Sequence, residues 1–223
     1  MRLILLAVAP VVIIAVYVYI RDKYEREPMG LLLKALLAGA LATIPIVIVN
    51  GWLEGFADLF AGYQRTGYIA FVVAALVEES FKFTALFLLV WRNKEFNELY
   101  DGIVYAVFVS LGFALVENIM YVTSYGEATG YTRAITAVPA HAIFGVTMGY
   151  YFAFAKFGIN NNTLNMVKAL LWPILLHGVY NFILMAGNPV FLLLFIPFIF
   201  YMWRAGFRKM KELSDHSDFR FKL

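Results

Sequence analysis

Seven apolar runs joined by short polar connections decide what this chain can fold into: residues 3–20, 29–53, 68–91, 102–125, 134–157, 165–186 and 189–204. Each approaches the roughly 20 residues a helix needs to cross ~30 Å of hydrocarbon, the first and last being short. Transmembrane β-strands would read as alternating segments of about ten residues, whereas these runs are continuous. Backbone polar groups in lipid must be satisfied within their own segment, so the runs are expected to be helices. The expected fold is all-α: a polytopic integral membrane helix bundle of about seven spans, forming one membrane-embedded domain over residues 1–223.

The composition agrees, with 62% hydrophobic and 15% charged residues, against about 25% charged in soluble domains. A net charge of +3, carried mostly by connections and tail, argues against a nucleic-acid surface. The absence of cysteine removes disulfides, thiolate metal sites and cysteine nucleophiles. Ala7-Val8-Ala9 comes too early to be a signal-cleavage site and is followed by Pro10, so the first run is expected to be a retained span. Pro45 and Pro173 lie inside spans as candidate kinks. Pro28 and Asp101-Gly102 mark boundaries, with Asp101 the expected N-cap.

Basic residues alternate from one connection to the next. Arg21, Lys23 and Arg26 occupy the first, Arg92 and Lys94 the third, Lys156 and Lys168 the fifth. Arg204, Arg208, Lys209, Lys211, Arg220 and Lys222 load the tail. The second and fourth connections hold only Arg65 and Arg133, and the sixth none. Basic residues mark the cytoplasmic side, so the N-terminus is expected outside and the tail inside the cell membrane.

Glu78-Glu79 sits within the third run, where each carboxylate costs on the order of 2.5–3.5 kcal/mol even on mild insertion scales. Lys82 is i,i+4 from Glu78 and i,i+3 from Glu79, so one ammonium can serve either. With the alternating topology, the pair lies about ten residues, or roughly 15 Å, below the outer face. Glu117-Asn118 on the fourth run, His141 on the fifth, and His177 with Asn181 on the sixth fall in the same slab. A dry interior and a paired carboxylate suit one Glu to take a proton from water, and His177 and Asn181 could hold an oxyanion. That set fits hydrolysis of a peptide bond by an activated water.

There is no H-E-x-x-H zinc motif and no G-x-S-x-G elbow, and the aspartates fall outside the spans. A metal site from His141, His177 and Glu78 stays open, because ligands can come from separate helices. A small proton- or ion-coupled transporter using the Glu/Lys/His set is the alternative from another class, and an inactive scaffold for single-span partners is a third.

Glu78-Glu79-x-x-Lys82, Asp101-Gly102-Ile103-Val104-Tyr105, Ser110-Leu111-Gly112-Phe113-Ala114-x-x-Glu117-Asn118, His141-Ala142-x-x-Gly145 and His177-Gly178-x-Tyr180-Asn181 together resemble the PrsW family of bacterial intramembrane proteases. That family is similar in turn to the CAAX-endopeptidase and bacteriocin-processing superfamily, with its E-E-x-x-x-R, F-x-x-x-H and H-x-x-x-N motifs. Here Lys82 stands one position earlier than the Arg, and Glu117 stands where the second motif has His. The resemblance implies a glutamic-type protease with no required metal. Its expected catalytic residues are Glu78, Glu79, His177, Asn181 and Glu117, supported by Lys82, Asn118 and His141. The implied substrate is a single-span membrane anti-sigma factor of the RsiW type, cut near its outer face.

Overall fold

A computed structural model describes residues 2–215, so the tail residues Arg220 and Lys222 lie outside the described residues. The described chain is helical: α1 Arg2–Arg21, α2 Met29–Glu54, a short turn of 3₁₀ helix at Ala57–Leu59, α3 Gly62–Gly67, a π-helical stretch Tyr68–Leu76, α4 Val77–Val90, α5 Leu99–Tyr125, α6 Glu127–Ile135, α7 Ala137–Lys156, α8 Asn162–Met185 and α9 Pro189–Asp215. Five helices (α1, α2, α5, α8 and α9) are each long and apolar enough to cross a membrane. The other two expected spans are also helical. One is α7, whose 20 residues rise about 30 Å. The other runs unbroken from α3 through the π stretch into α4.

The layout follows from α5, which is buried continuously from Tyr100 to Ala114 and is flanked by α1, α2, α4 and α7. In lipid there is little hydrophobic drive between helices, so close backbone approach at small residues must supply the packing. Gly39 on α2 lies against the Val109 carbonyl, and Gly112 on α5 lies against the Leu36 carbonyl, so each helix presents a notch to the other. Nearer the start of α5, a β-carbon at Gly102 would stand 2.7 Å from the Gly149 carbonyl oxygen on α7. The outermost helices, α1 and α9, turn residues such as Ile13, Leu193 and Phe200 outward, as a lipid-facing surface requires.

Three local features differ from the sequence expectation. Asp101 is not the N-cap of α5. Glu98 is, and Asp101 sits at the third helical position of a capping box, its Oδ2 accepting the backbone N–H groups of Asn97 and Glu98. The fourth connection is not a plain loop, because residues 127–135 form the short helix α6. The fifth span therefore starts at Ala137, where Thr136 (φ −120°, ψ −67°) leaves the helical region and separates α6 from α7.

Candidate active site

All the polar residues expected to form the site converge, and the order of their contacts is specific. Glu78 and Glu79 open α4 directly after the π stretch. Turns of this wider helix are rare and often found at functional sites. Phe71 of the stretch lies against Gly178 on α8, where any side chain would overlap the ring. This contact brings His177 against α4.

Glu79 is the hub. Its Oε1 accepts from Lys82 Nζ at 2.7 Å and from His177 Nδ1 at 2.9 Å. Glu79 and Lys82 are fully buried. A carboxylate can only accept, so the Nδ1 of His177 carries the proton and its Nε2 is a lone pair. Asn181 Nδ2 donates to that lone pair at 3.1 Å. Phe144 of α7 stacks on the His177 ring at 4.9 Å between centroids and fixes its plane.

A second chain starts at Glu117. Its Oε2 lies 3.0 Å from His141 Nε2 and 2.6 Å from Arg133 on α6. His141 Nδ1 in turn faces Lys82 Nζ at 3.3 Å. The same logic gives His141 a proton on Nε2 and a lone pair on Nδ1, filled by an ammonium N–H. Lys82 thus joins both chains, and its ammonium also lies 4.2 Å from the centre of the Phe113 ring. Asn118 is one step removed: it donates to the Ala7 carbonyl on α1 at 3.0 Å and accepts from Arg133 Nε at 2.9 Å.

Glu78 makes no side-chain hydrogen bond among the described residues. Its Oε2 is buried and has no partner, with Lys82 Nζ at 3.8 Å and His177 Nε2 at 3.9 Å. Glu79 Oε2 is likewise buried without a partner, but Glu79 is held through Oε1. Buried polar atoms are nearly always paired, so a carboxylate that makes no bond marks the place where something else binds.

The geometry changes one expected role and adds one residue. The N–H of His177 is spent on Glu79 and its lone pair on Asn181, so the ring has no donor free for an oxyanion. Asn181 has a second amide N–H beyond the one it gives to His177. Arg133 was legible only as a charge marker in its connection. The signal that would have found it is the helical spacing of Ala128, Tyr131 and Ile135 around it, which predicts a helix able to carry an Arg over the site.

A family model described as "PrsW family intramembrane metalloprotease" matches residues 27–203. The chain belongs to that family. Among curated relatives, Protease PrsW of Clostridioides difficile (strain 630) is 38% identical over 221 residues, covering 96% of this chain and 92% of the relative. Protease PrsW of Geobacillus kaustophilus (strain HTA426) is 38% identical over 210 residues, covering 94% and 91%. Protease PrsW of Bacillus subtilis (strain 168) is 35% identical over 211 residues, covering 92% of each. No solved structure matches. Membership of the PrsW family makes this chain a multi-pass intramembrane protease, and the protease stands over the transporter and scaffold alternatives.

The PrsW family's description implies a metal, against the metal-free chemistry expected from sequence. The donors fit one in type and convergence: ligand atoms of Glu78, Glu79, His141 and His177 lie within 4.8 Å of one another. Each histidine already has a carboxylate on one ring nitrogen, Glu79 for His177 and Glu117 for His141, as metal-binding histidines usually do. The Lys82 ammonium covers the His141 Nδ1 lone pair and the Asn181 amide covers that of His177 Nε2, so a metal on either atom excludes the partner's present position.

Proposed function

We propose that this chain lies in the cell membrane with its N-terminus outside and its tail cytoplasmic, and cuts a single-span regulatory protein near its extracytoplasmic side. The substrate class is an anti-sigma factor of the RsiW type, so cleavage initiates regulated proteolysis. The observation that carries the chemistry is a buried Glu78 that makes no hydrogen bond, its Oε2 bare, beside a Glu79 whose Oε1 is held by both Lys82 and His177.

In this scheme Glu78 is the general base. A water held at its free oxygen attacks the scissile carbonyl carbon and gives its proton to Glu78 as the C–O bond forms. The negative charge moves to the carbonyl oxygen, where the remaining N–H of Asn181 would donate and the Lys82 ammonium would supply positive charge. The tetrahedral carbon then collapses, the C–N bond breaks, and the proton on Glu78 passes to the leaving amine. Glu79 holds Lys82 and His177 in place, and His177 aims Asn181. Glu117 and Arg133 bridge α5 and α6 at the site's edge, where they would steer the substrate. If a metal binds, Lys82 and Asn181 would have to leave the ring nitrogens of His141 and His177, which with Glu78 would then hold it, and it would acidify the water and polarise the carbonyl.

The deciding experiment incubates purified protein with a candidate single-span anti-sigma factor, beside Glu78→Gln and Glu79→Gln variants, with and without a strong chelator. Cleavage by the parent and none by folded Glu78→Gln supports the scheme. Wild-type rates from both folded variants would overturn it. Loss on chelation with rescue by zinc would assign His141 and His177 as ligands, and cleavage that survives chelation would leave Glu78 acting on water alone.

A further inference from the structure

The protease chemistry leaves unused a cavity at the end of the bundle formed by the last turns of α7, the start of α8 and the end of α9. It is lined by Lys168, Arg204, Arg208 and Lys209, with Tyr151 and Tyr201 among its walls, and encloses about 500 Å³. Four cations and one carboxylate, Glu212, face this space. Glu212 is held at the rim by the Tyr150 hydroxyl, which donates to it at 2.8 Å. The Lys209 ammonium lies 4.6 Å from the centre of the Tyr150 ring and 5.2 Å from that of Tyr151, and Lys168 lies 5.8 Å from the latter. Aromatic rings thus gather cations that would otherwise repel one another.

A cavity of this charge calls for an anion, and the neighbouring space says which kind. A second hollow of about 210 Å³ shares Tyr151, Tyr201, Ala205 and Lys209 with the first and continues along the bundle between α7, α8 and α9. Its far walls are Ile143, Thr147, Trp172 and Leu176, almost wholly apolar. A free phosphate has no use for an apolar extension, and a zwitterionic headgroup gains little from a surplus of three positive charges. A molecule with an anionic head and a hydrocarbon chain fills both.

We propose that this double hollow is a binding site for an anionic phospholipid, its phosphate among Lys168, Arg204, Arg208 and Lys209 and one acyl chain in the furrow. The furrow ends at Leu176 and Ile143, the chain neighbours of His177 and of the Phe144 ring that stacks on it. An occupant there braces the wall that holds His177 against Glu79. Lys168 is nine residues from His177 on α8, about 14 Å along the helix axis. One phospholipid can therefore touch both the cationic pocket and the back of the active-site wall.

The test reads thermal unfolding of the full-length protein in a neutral detergent, so it does not depend on substrate or activity. Phosphatidylglycerol, phosphatidylcholine with the same acyl chains, and inorganic phosphate are titrated separately. Saturable stabilisation by phosphatidylglycerol, at least tenfold weaker for phosphatidylcholine and absent for phosphate, is expected. Lys168→Gln/Arg208→Gln should weaken the phosphatidylglycerol midpoint by tenfold or more, and the exposed pair Arg92→Gln/Lys94→Gln, elsewhere on the surface, should leave it unchanged. Ala205→Trp keeps every charge and fills the furrow, and it should also abolish the effect. Equal stabilisation by phosphate, equal stabilisation by phosphatidylcholine, or equal loss in the two charge-reduced variants would each overturn the proposal.

Discussion

The difference between two adjacent glutamates is the sharpest residue-scale result. Glu79 compensates a buried ammonium, so Glu79→Gln leaves Lys82 without its closest anion. Breaking one side of a buried pair typically costs about 3–5 kcal/mol. Glu79→Gln should therefore lose cleavage and lower the unfolding temperature together. Glu78→Gln removes a carboxylate that makes no hydrogen bond and stands 3.8 Å from the Lys82 ammonium. It should reduce cleavage by about 10²–10⁴-fold, the usual worth of a general base, without lowering the unfolding temperature. A Glu78→Gln protein that is as destabilised as Glu79→Gln would show that both carboxylates are structural. His177 and Asn181 act in series, so the double alanine variant should cleave no more slowly than the worse single variant. Additive losses in that cycle would mean that each contributes independently.

At the scale of elements, the crossing of α2 and α5 holds the bundle around its buried centre. Gly112 lies so close to the Leu36 carbonyl that a methyl group there must push the two backbones apart. Gly112→Ala should destabilise by about 1–3 kcal/mol, the usual cost of overpacking a rigid contact. Gly30, near the start of α2, has nothing within 4 Å of the position a β-carbon would take. Gly30→Ala should be neutral or stabilising by up to about 1 kcal/mol, since only helix propensity changes. Unfolding of both variants in detergent, measured side by side, separates close approach from propensity. Loss of stability in both would show that backbone crowding is not the cause.

For the whole molecule, the connection between α1 and α2 introduces a pH dependence far from the active site. Burial and the neighbouring Asp101 carboxylate push Glu27 well above the usual carboxylate range, with Asp22 and Glu25 adding to the shift. Burial is also the largest cause for Asp22, raised to about 7 against the Glu27 N–H it accepts and the charge of Arg26, with Glu98 and Glu25 raising it further. A carboxyl whose folded-state pKa is raised binds more protons folded than unfolded, so its stabilising contribution is complete at acid pH and fades as pH climbs. Stability should fall from about pH 4, through the Asp22 window up to about 7, and continue to decline above it through Glu27. Glu27→Gln keeps the acceptor for the Tyr105 hydroxyl and should flatten this slope while raising the unfolding temperature at alkaline pH. An unchanged slope in that variant would remove Glu27 as the cause. Orientation is a separate test: an impermeant thiol reagent on intact cells should label Gln64→Cys and spare Lys211→Cys, and the reverse would invert both the topology and the site's side.

Local chemistry was enough to read the helical class, the seven apolar runs and the set Glu78, Glu79, Lys82, Glu117, His141, His177 and Asn181. Hydropathy, residue spacing and charge bias each depend on short stretches of chain. The sequence by itself could not say which glutamate Lys82 serves, because i,i+3 and i,i+4 spacings both reach. Tertiary structure chose Glu79, at 2.7 Å against 3.8 Å for Glu78. Adjacent residues on a helix point about 100° apart, and the rotation of α4 is set by the wider π turns before it and by Phe71 lying against Gly178. The ring nitrogens of His177 were assigned the same way, by what α4 and its own next turn place against them. The spacing of Ala128, Tyr131 and Ile135 can predict α6, but Arg133 reaches Glu117, 16 residues away in the chain, only because α6 folds back over the end of α5.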